Sequence, residues 1–392
     1  MKIGLVCPYS LTKGGGVQEV VKALQLEYDR RGHETVIIAP QSKEPYHGSH
    51  RVIFLGSAVD LTVNATTGAL SASVLTDEID AMLEYENFDV INFHEPWIPV
   101  LSRQILSRSR AINVATFHAK LPETLASRAF AKVIIPYTKP LLRHIDGFSA
   151  VSDAAAEYVR SLTDEAVCIV PNGIHSTHFR KPPRLPEPAL GGKTILYIGR
   201  LEKRKGVKYL LYAFRELQQR HPDARLIIAG DGVDSDKLHE LRDELGVRHV
   251  EFLGYIDDAE KRRLLHSANL FCSPALFGES FGIVLLEAIA SGLVTVAGNN
   301  PGYESVMTGL GQLSLVNPRD SREFAQRMEL LLTDQGIREL WKKWAKKHIR
   351  QYEYSKIATQ YLEVYERARL AHDTRASVKA KAEEDHEDWL RT

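Results

Sequence analysis

The stretch KPPRLPEPALGGKTILYIGR, residues 181–200, places four prolines directly before a new strand-like run. Upstream of it, strand-like runs alternate with helical patterns from KIGLVCPY (2–9) to AVCIVPNG (166–173). Downstream, the alternation starts again with TILYIGR (194–200) and continues to LSLVN (313–317). Apolar strands that alternate with helices form parallel sheets covered on both faces. The sequence therefore predicts an α/β protein of two doubly wound, Rossmann-like domains joined by a proline-rich linker.

The predicted domain boundaries follow from this linker and from the composition of the C-terminus. We expect a first domain at 1–178, a second domain at 179–354, and a charged, aromatic-poor segment at 373–392 that is solvated and mobile. Ligands of doubly wound sheets bind at the carboxyl ends of the strands. Two such sheets that face each other predict an interdomain cleft as the ligand site.

The charge balance argues against nucleic acid as a partner. The chain of 392 residues carries 50 Lys and Arg against 50 Asp and Glu, so it has no global positive field. Three cysteines lie far apart in the sequence, as expected in a reducing cytoplasm. The N-terminal apolar run is too short for a signal peptide, and no segment offers the ~20 clean apolar residues of a membrane span. We expect a cytoplasmic protein whose contact with a membrane is peripheral.

Three glycines at 14–16 stand between a strand and a helix in YSLTKGGGVQEVVKAL (9–24). Glycine lets the backbone approach a ligand closely, and free amides at a helix N-terminus attract anions. The loop lacks the GxGxxG of dinucleotide sites, an acid after the second strand, and the GK[ST] of P-loops. It therefore predicts a phosphate compound of another class; a tight turn without a ligand is the alternative.

A basic turn follows the first strand of the second domain in GRLEKRKG (199–206). Arg200 and Lys205 would stand at the carboxyl end of that strand, where a guanidinium and an ammonium group can hold a diphosphate. The alternative is a solvated basic turn, which is what we expect of Lys203 and Arg204.

Two glutamates lie eight residues apart in GESFGIVLLEAIASG (278–292). A helix is predicted to begin at Ser280 or Phe281, so Glu279 precedes its first turn and Glu287 lies ~12 Å further along. At that separation the two carboxylates suit the two ends of an extended ligand. Glu279 could alternatively interact with the helix dipole, whereas Glu287, among apolar neighbours, requires a hydrogen-bonding partner.

The start of the same helix offers backbone donors. Gly278 permits a turn before it, and the free amides near Gly282 and Ile283 are predicted to hold a phosphate between the two glutamates.

Together these motifs resemble retaining glycosyltransferases of family 4, which have the GT-B fold of two Rossmann-like domains facing across a cleft. The resemblance rests on GGGV (14–17), TFH (116–118), the GR…KG turn, GDG (230–232) and the Glu-x7-Glu block, and it covers about residues 1–370. Within the family, the chain looks most like bacterial phosphatidylinositol α-mannosyltransferases that use GDP-mannose. The resemblance also implies a C-terminal helix, at about 355–372, that crosses back to the first domain.

For the donor, the resemblance implies contacts from both domains. Gly15 and Gly16 would approach the diphosphate and the sugar, and Arg200 and Lys205 would neutralise the diphosphate as it leaves. His118 would meet the sugar near the reacting carbon; taken alone, a strand-end histidine bonded to the backbone is the alternative.

The same resemblance assigns the remaining donor contacts to the Glu-x7-Glu block. Glu279, with the amides of Ser280, Phe281 and Gly282, would hold the sugar hydroxyls. Glu287 would accept hydrogen bonds from the ribose hydroxyls.

The segment LGYIDDAEK (253–261) matches the base-binding loop of the family. Asp258 could accept from the two N–H donors of guanine, and Lys261 could reach the guanine carbonyl. Uracil would leave such a carboxylate underpaired. The alternative is that Asp257 or Asp258 caps the helix that follows.

The acceptor side shows partial agreement with the family. The resemblance places Tyr9, Gln18 and Asn64 near the inositol of a lipid acceptor. The position before Asn64 is Val63, where the family has an aromatic residue.

The membrane-contact helix of the family is basic, but the corresponding stretch here, SASVLTDEIDAMLEYENF (71–88), has several acids and no Lys or Arg. Acids there should repel an anionic lipid surface. Residues 120–144 combine basic and apolar side chains as interfacial helices do, with an ordinary amphipathic helix as the alternative. WKKWAKKHIR (341–350) has the same ambiguity.

Two patterns imitate metal sites. DSD (234–236) opens a helix after GDGV, so we expect helix capping rather than metal binding. HSTH (175–178) has metal-like spacing but no carboxylate or cysteine nearby, and the family has an acid where His175 stands. We predict no catalytic metal and no other cofactor.

The sequence thus predicts retaining transfer of a hexose, mannose from GDP-mannose, to a lipid such as phosphatidylinositol at the inner face of the cell membrane. The resemblance implies a front-face reaction in which the leaving phosphate helps to deprotonate the acceptor. Alternatives are a UDP-sugar donor, or a soluble or other glycolipid acceptor. A nucleotide-sugar 2-epimerase is less favoured because those enzymes lack the Glu-x7-Glu arrangement. A phosphorylase would need a pyridoxal lysine and a longer chain, and a non-catalytic binding module would be expected to lose Lys205 or Glu279.

Overall fold

The chain divides into two units in a computed structural model. The structure describes residues 1–12, 14–63, 66–71, 75–98, 100–119, 139–180 and 193–391, with side chains except at 58–63, 66–71 and 378–391. Unit 1 is Met1–Pro171 with Tyr354–Thr392, and unit 2 is Asn172–Glu353. Unit 1 thus ends at Pro171 rather than at residue 178. The reason is that the chain after it pairs within unit 2, where the Ile174 amide donates to the Tyr352 carbonyl at 2.7 Å.

Strands and helices alternate along unit 1. Its elements before the linker are β1 (Lys2–Val6), α1 (Gly16–Arg30), β2 (Glu34–Gln41), β3 (Val52–Val63), β4 (Thr66–Ser71), α2 (Thr76–Glu86), β5 (Val90–His94), α3 (Leu101–Leu106), β6 (Ile112–Phe117), a 3-10 helix (Lys139–His144), β7 (Gly147–Ala150), α4 (Asp153–Arg160) and β8 (Val167–Ile169).

The sheet of unit 1 has eight strands in the order β4-β3-β2-β1-β5-β6-β7-β8. All neighbouring pairs are parallel except β3 with β4, which is an antiparallel pair. The order proceeds outward from β1 in one direction and from β5 in the other. Such a switch point is where doubly wound sheets bind their ligands, so the residues after β1 and β5 are the first to inspect.

Unit 2 repeats the alternation with shorter strands. Its elements are α5 (Ser176–Arg180), β9 (Thr194–Ile198), a 3-10 turn (Lys203–Lys205), α6 (Val207–Arg220), β10 (Arg225–Ala229), α7 (Ser235–Leu245), β11 (Val250–Gly254), α8 (Asp258–Ser267), β12 (Leu270–Ser273), α9 (Ile283–Ala290), β13 (Thr295–Gly298), α10 (Pro301–Val306), a 3-10 turn (Gly309–Ser314), β14 (Leu315–Val316), α11 (Ser321–Thr333), α12 (Gln335–His348) and a 3-10 turn (Ile349–Tyr352).

The sheet of unit 2 has six parallel strands in the order β11-β10-β9-β12-β13-β14. Its switch point lies between β9 and β12. The basic turn at 199–206 follows β9, and the Glu-x7-Glu block follows β12, so both motifs leave the switch point of this sheet. The predicted pair of doubly wound, parallel-sheet domains is therefore confirmed.

One long helix, α13 (Tyr354–Arg391), returns the chain to unit 1. Its buried side chains join the core formed by β1, β2 and α1. The Tyr28 hydroxyl donates to that of Tyr365 at 3.1 Å, and Asn92 on β5 donates to the same oxygen at 3.0 Å. A Cβ on Gly147 of β7 would lie 2.8 Å from the Cβ of Ala368, so α13 packs directly on the sheet.

The same helix continues through the charged C-terminal segment. Residues 373–391, which the composition predicts to be solvated and mobile, have helical backbone. Ala, Glu, Lys and Arg are strong helix formers, and Arg369 pairs with Glu366 and Asp373 at helical spacing. High charge and a low aromatic content therefore indicated disorder where helix propensity favoured a helix. Among the described helices, none combines the length and the apolar character of a membrane span.

Candidate functional site

The glycine loop of unit 1 joins β1 to the N-terminus of α1. Gly15 is the N-cap in extended conformation, with φ −176°, and α1 begins at Gly16. A Cβ on Gly15 would lie 2.4 Å from Oε1 of Gln18, whereas a Cβ on Gly14 would meet nothing within 4 Å. As at any helix start, the amides of the first turn have no intrahelical acceptor. Gly15 is therefore confined by Gln18, and Gly14 is not.

Two of the predicted acceptor residues lie on the same loop and helix. The Gln18 amide is buried and donates to the Ser10 carbonyl at 3.3 Å. Tyr9 packs against the core of unit 1, and burial together with the nearby Glu95 raises the pKa of its hydroxyl well above the usual value. Asn64, the third predicted acceptor residue, lies outside the described residues.

The ends of β5 and β6 form a buried cluster, of which only His118 was predicted from the sequence. His118 Nε2 and His94 Nδ1 are 2.8 Å apart, so the ring of His118 is bonded to a second histidine rather than held at a strand end by backbone alone. Burial, reinforced by His118, lowers the pKa of His94 well below its usual value. His94 is therefore a neutral ring next to the predicted catalytic histidine.

Glu95 holds the backbone of this cluster. Its Oε1 accepts from the amides of His118 and Ala119, both at 2.5 Å, and its own φ is +52°, in the region that non-glycine residues rarely adopt. Burial raises the pKa of Glu95 to about 7. The sequence signal that would have found His94 and Glu95 is their place in NFHEPW, directly at the carboxyl end of a switch-point strand.

In unit 2, the basic turn and Glu279 form one ion-pair cluster. Lys205 Nζ and Arg204 Nη1 each lie 2.7 Å from Oε1 of Glu279. Arg204 Nε also contacts Glu202 at 2.8 Å, and Arg200 contacts the other oxygen of Glu202 at 2.7 Å. Three cations thus face two carboxylates, which leaves one positive charge in excess at the switch point of the sheet.

One prediction about this cluster was wrong, and one of its residues was not predicted. Arg204 was expected to be solvated, but its side chain is only 20% exposed because it bridges Glu202 and Glu279. Lys203 is exposed, as expected. Glu202 is buried and was not among the predicted site residues.

Glycine conformation brings the two loops together. Gly206 has φ +70°, and a Cβ there would lie 2.1 Å from the Pro274 carbonyl oxygen. The Leu276 amide donates to the Arg204 carbonyl at 2.8 Å, which ties the loop after β12 to the loop after β9. Lys205 therefore reaches Glu279 although the two lie far apart in the sequence.

The helix after Glu279 begins later than predicted. Gly282 is the N-cap of α9 at φ +109°, so the helix starts at Ile283 rather than at Ser280 or Phe281. A bulkier residue could not replace Gly282, because a Cβ would lie 2.7 Å from the Tyr303 ring. The helix start nevertheless stays next to Glu279 in the chain.

Phe281, which precedes this start, has a core side chain. It is 3% exposed, and its ring centroid lies 5.8 Å from that of Tyr352. A role for Phe281 at the ligand is therefore restricted to its backbone amide.

The second glutamate of the block connects to the predicted base-binding residues. Lys261 Nζ lies 2.7 Å from Glu287 Oε1 and 3.3 Å from Asp258. Although burial disfavours the charged form, the hydrogen bond from His178 at 2.8 Å and the pairing with Lys261 hold the pKa of Asp258 below its usual value. Glu287, Lys261 and Asp258 thus form one connected group.

The structure also shows which aspartate caps α8 and which contacts the two metal-like patterns, DSD and HSTH, make. Asp257, not Asp258, caps α8 by accepting from the Glu260 amide at 2.8 Å. Asp234 occupies the N-cap position of α7, as predicted for DSD, but its side chain makes no cap hydrogen bond. HSTH does have a carboxylate partner in space, since His178 pairs with Asp258.

Within the described part of the chain, no group of three His, Cys, Asp or Glu side chains could hold a metal ion.

Comparison with known proteins places this geometry in a family. The family model described as Glycosyltransferase Family 4 matches residues 14–178, and that described as Glycosyl transferases group 1 matches residues 183–348. A phosphatidyl-myo-inositol mannosyltransferase from Mycolicibacterium smegmatis is 34% identical over 368 residues, which are 93% of this chain and 94% of the relative.

Solved structures share the fold at low sequence identity. Sucrose-phosphate synthase from Thermosynechococcus elongatus has a TM-score of 0.76 at 19% identity, covering 94% of this chain and 99% of its own. HepE from Anabaena in complex with UDP-glucose has a TM-score of 0.71 at 18% identity, covering 93% and 98%. The predicted GT-B glycosyltransferase fold and the resemblance drawn from the motifs are confirmed. The two family models span both units, and the relative matches nearly its full length, so this chain belongs to glycosyltransferase family 4.

Proposed function

We propose that the protein is a retaining hexosyltransferase that moves mannose from GDP-mannose to phosphatidylinositol. The observation that carries the proposal is the cluster in which Lys205 and Arg204 both contact one oxygen of Glu279. The choice of mannose and of phosphatidylinositol is supported by the name of the Mycolicibacterium relative. In this proposal unit 2 binds the nucleotide sugar and unit 1 provides the acceptor side.

The excess positive charge of the cluster would stabilise the departing diphosphate. Lys205 and Arg200 would contact it directly, with the amides of Gly15, Gly16 and Ile283 as further donors. Fixed donors aimed at a developing negative charge are each worth about 10² to 10³ in rate. The basic turn and the helix starts therefore have the chemistry that breaking the sugar–phosphate bond requires.

Glu279 would position the sugar. Its two cationic partners keep it oriented, so that it would accept hydrogen bonds from sugar hydroxyls. The amides of Ser280, Phe281 and Gly282 would donate to oxygens of the same sugar. His118 would contact the sugar near the reacting carbon from unit 1.

The reaction would proceed on one face of the sugar. The bond from the anomeric carbon to the diphosphate oxygen breaks, and a bond to the acceptor hydroxyl oxygen forms. The proton of that hydroxyl passes to the leaving phosphate. Each step uses the substrates and the charged groups of this chain, and none needs a metal ion.

The nucleotide is proposed to bind at Glu287, Lys261 and Asp258. Lys261 would hold the Glu287 carboxylate in place for the ribose hydroxyls, and Asp258 would read the guanine edge. One observation favours a second candidate, a UDP-sugar donor: Asp258 already contacts His178, Lys261 and Arg262, all of which compete with guanine for its oxygens.

A thermal-shift panel of GDP, UDP and ADP separates these donors. We expect GDP to raise the melting temperature most. A larger shift with UDP would reject the guanine assignment and favour the second candidate.

The acceptor is proposed to meet Tyr9, Gln18 and Asn64. Because the acceptor is a lipid, the protein would act in the cytoplasm as a peripheral protein of the inner membrane face. Radiolabelled GDP-mannose should label the lipid phase of vesicles that contain phosphatidylinositol, and free inositol should not compete efficiently. Label in a water-soluble product alone would instead support a soluble acceptor.

A further inference from the structure

Helix α12 and the turn after it carry a row of cations that neither the fold nor the donor site explains. At about 100° per residue, these side chains fall within an arc of about 140° on one side of the helix. The opposite side buries Trp341, Ala345 and Ile349 in unit 2. We call the cationic arc the basic face; its residues are Lys342, Lys343, Lys346, Lys347 and Arg350.

The charge of the basic face is not balanced locally. Lys342 pairs with Glu339 at 3.3 Å, whereas within the described chain the other four cations have no ion-pair partner. Like charges three or four residues apart on a helix repel each other. The helix dipole favours cations in the last turn, but Lys342 and Lys343 lie before it. Helix stability therefore does not account for the full row.

The basic face borders a pocket with mixed chemistry. The pocket has a volume of about 350 Å³, and Arg180 joins Lys342, Lys346 and Arg350 on its walls. Its floor includes the apolar side chains of Ile289, Ala345 and Ile349. Cations over an apolar floor suit a phosphate group that is attached to an apolar body.

One edge of the basic face is apolar. Leu340 is 57% exposed, and the neighbouring Trp344 is half-buried with its ring stacked on His348 at a centroid distance of 4.4 Å. A cationic row beside exposed leucine and a half-buried tryptophan is the composition of helices that lie on membrane surfaces.

We propose that the basic face docks the protein on an anionic lipid surface. The proposal rests on the lipid acceptor of the proposed function and identifies the surface of the protein that would contact the membrane containing that lipid. It also explains how a membrane could be bound although helix α2 is acidic. Asp77, Glu78, Asp80 and Glu84 on that helix are exposed and should be repelled by such lipid. In this chain the attraction comes from unit 2 instead.

Vesicle sedimentation tests the proposal with the full chain. The wild type should bind vesicles of phosphatidylcholine with about one quarter phosphatidylserine and should not bind phosphatidylcholine alone. Each cation contributes about fivefold to such partitioning. The triple variant K343E/K346E/K347E should therefore lose about 100-fold or more.

A charge-matched control reverses three exposed lysines elsewhere, K208E/K237E/K356E, and should bind close to wild type. Equal binding of wild type to both vesicles, or an equal loss in both triple variants, would overturn the proposal. Circular dichroism and the thermal shift with GDP check that each variant is folded.

A second measurement separates this proposal from the proposed function. With phosphatidylinositol dispersed in neutral detergent, K343E/K346E/K347E should transfer mannose as the wild type does, because no charged surface is needed. If the wild type binds anionic vesicles but transfers nothing to dispersed phosphatidylinositol, the proposed function fails and the docking surface stands.

Discussion

The switch points of the two units have opposite chemistry. In unit 2, Arg200, Arg204 and Lys205 face Glu202 and Glu279 in a cluster of full charges. In unit 1, the corresponding strand ends carry a neutral His94 ring against His118, and the buried Glu95, whose pKa is about 7. The two folds are alike, so the difference lies in the loops.

The difference suggests how the work of transfer is divided. A cluster with excess positive charge suits a diphosphate that gains negative charge as it leaves. Neutral hydrogen-bonding groups suit sugar and acceptor hydroxyls, which stay uncharged until a proton moves. The variants below test this division from the largest expected effect to the smallest.

The largest effect is expected in the charged cluster. Lys205→Ala and Glu279→Ala should each lower kcat by about 10³-fold, because each removes a fixed contact to the reacting group. Lys203→Ala, an exposed cation of the same turn, should stay within about twofold. Near-normal turnover in either of the first two variants would show that the cluster is not the reactive site.

The second largest effect, on stability, is expected from Glu95 in the buried cluster of unit 1. Because the pKa of Glu95 is raised from 4.5 to about 7, the unfolded chain releases this proton at lower pH than the folded chain does. The free energy of unfolding should therefore fall by about 3 kcal/mol as the pH rises from 4.5 to 7.

Glu95→Gln keeps the oxygen that accepts from the two amides and is neutral at every pH, so it should lose this fall. Urea unfolding at pH 5 and pH 7.5 measures the change. Glu84→Gln, at an exposed site on α2, serves as the control and should keep the wild-type slope. The same slope in Glu95→Gln would mean that Glu95 does not titrate as proposed.

A smaller effect on stability is expected at Arg204. Removing it leaves Glu202 and Glu279 each without one partner, so Arg204→Ala should lower the free energy of unfolding by about 2 kcal/mol, reduced from a fully buried pair by its partial exposure. Lys203→Ala should change stability by less than about 0.5 kcal/mol. Equal stability of the two variants would show that Arg204 is solvated, as the sequence predicted.

The smallest effect is expected in the glycine loop. A Cβ on Gly15 must displace the Gln18 side chain, so Gly15→Ala should raise the KM for the donor by about tenfold. Gly14→Ala adds a methyl group in open space and should leave KM unchanged. Equal KM values in the two variants would show that the donor does not depend on a close approach of Gly15.

The fold was readable from the sequence because its signal is repeated. Apolar strands and amphipathic helices recur through both domains, one proline-rich break separates the two series, and no single residue decides the pattern. The Glu-x7-Glu block was found for a similar reason, since Glu287 among apolar neighbours needed a partner, and Lys261 is that partner.

The missed residues depend on local geometry that spacing cannot provide. In the run KRK, Arg204 bridges Glu202 and Glu279 whereas Lys203 is exposed, and three consecutive basic letters do not distinguish the two. The pairing of His178 with Asp258 joins positions 80 residues apart. The start of α9 moved to Ile283 because Gly282 adopts a positive φ, which its letter permits but does not require.

The most direct test of the central claim is the anomeric form of the product. Wild-type protein would be incubated with GDP-[¹³C]mannose and vesicles that contain phosphatidylinositol, and the extracted lipid examined by NMR through the one-bond C1–H1 coupling of the labelled sugar. We predict α-linked mannosyl phosphatidylinositol, with the configuration of the donor retained. A β-linked lipid, or the absence of labelled lipid, would contradict the account.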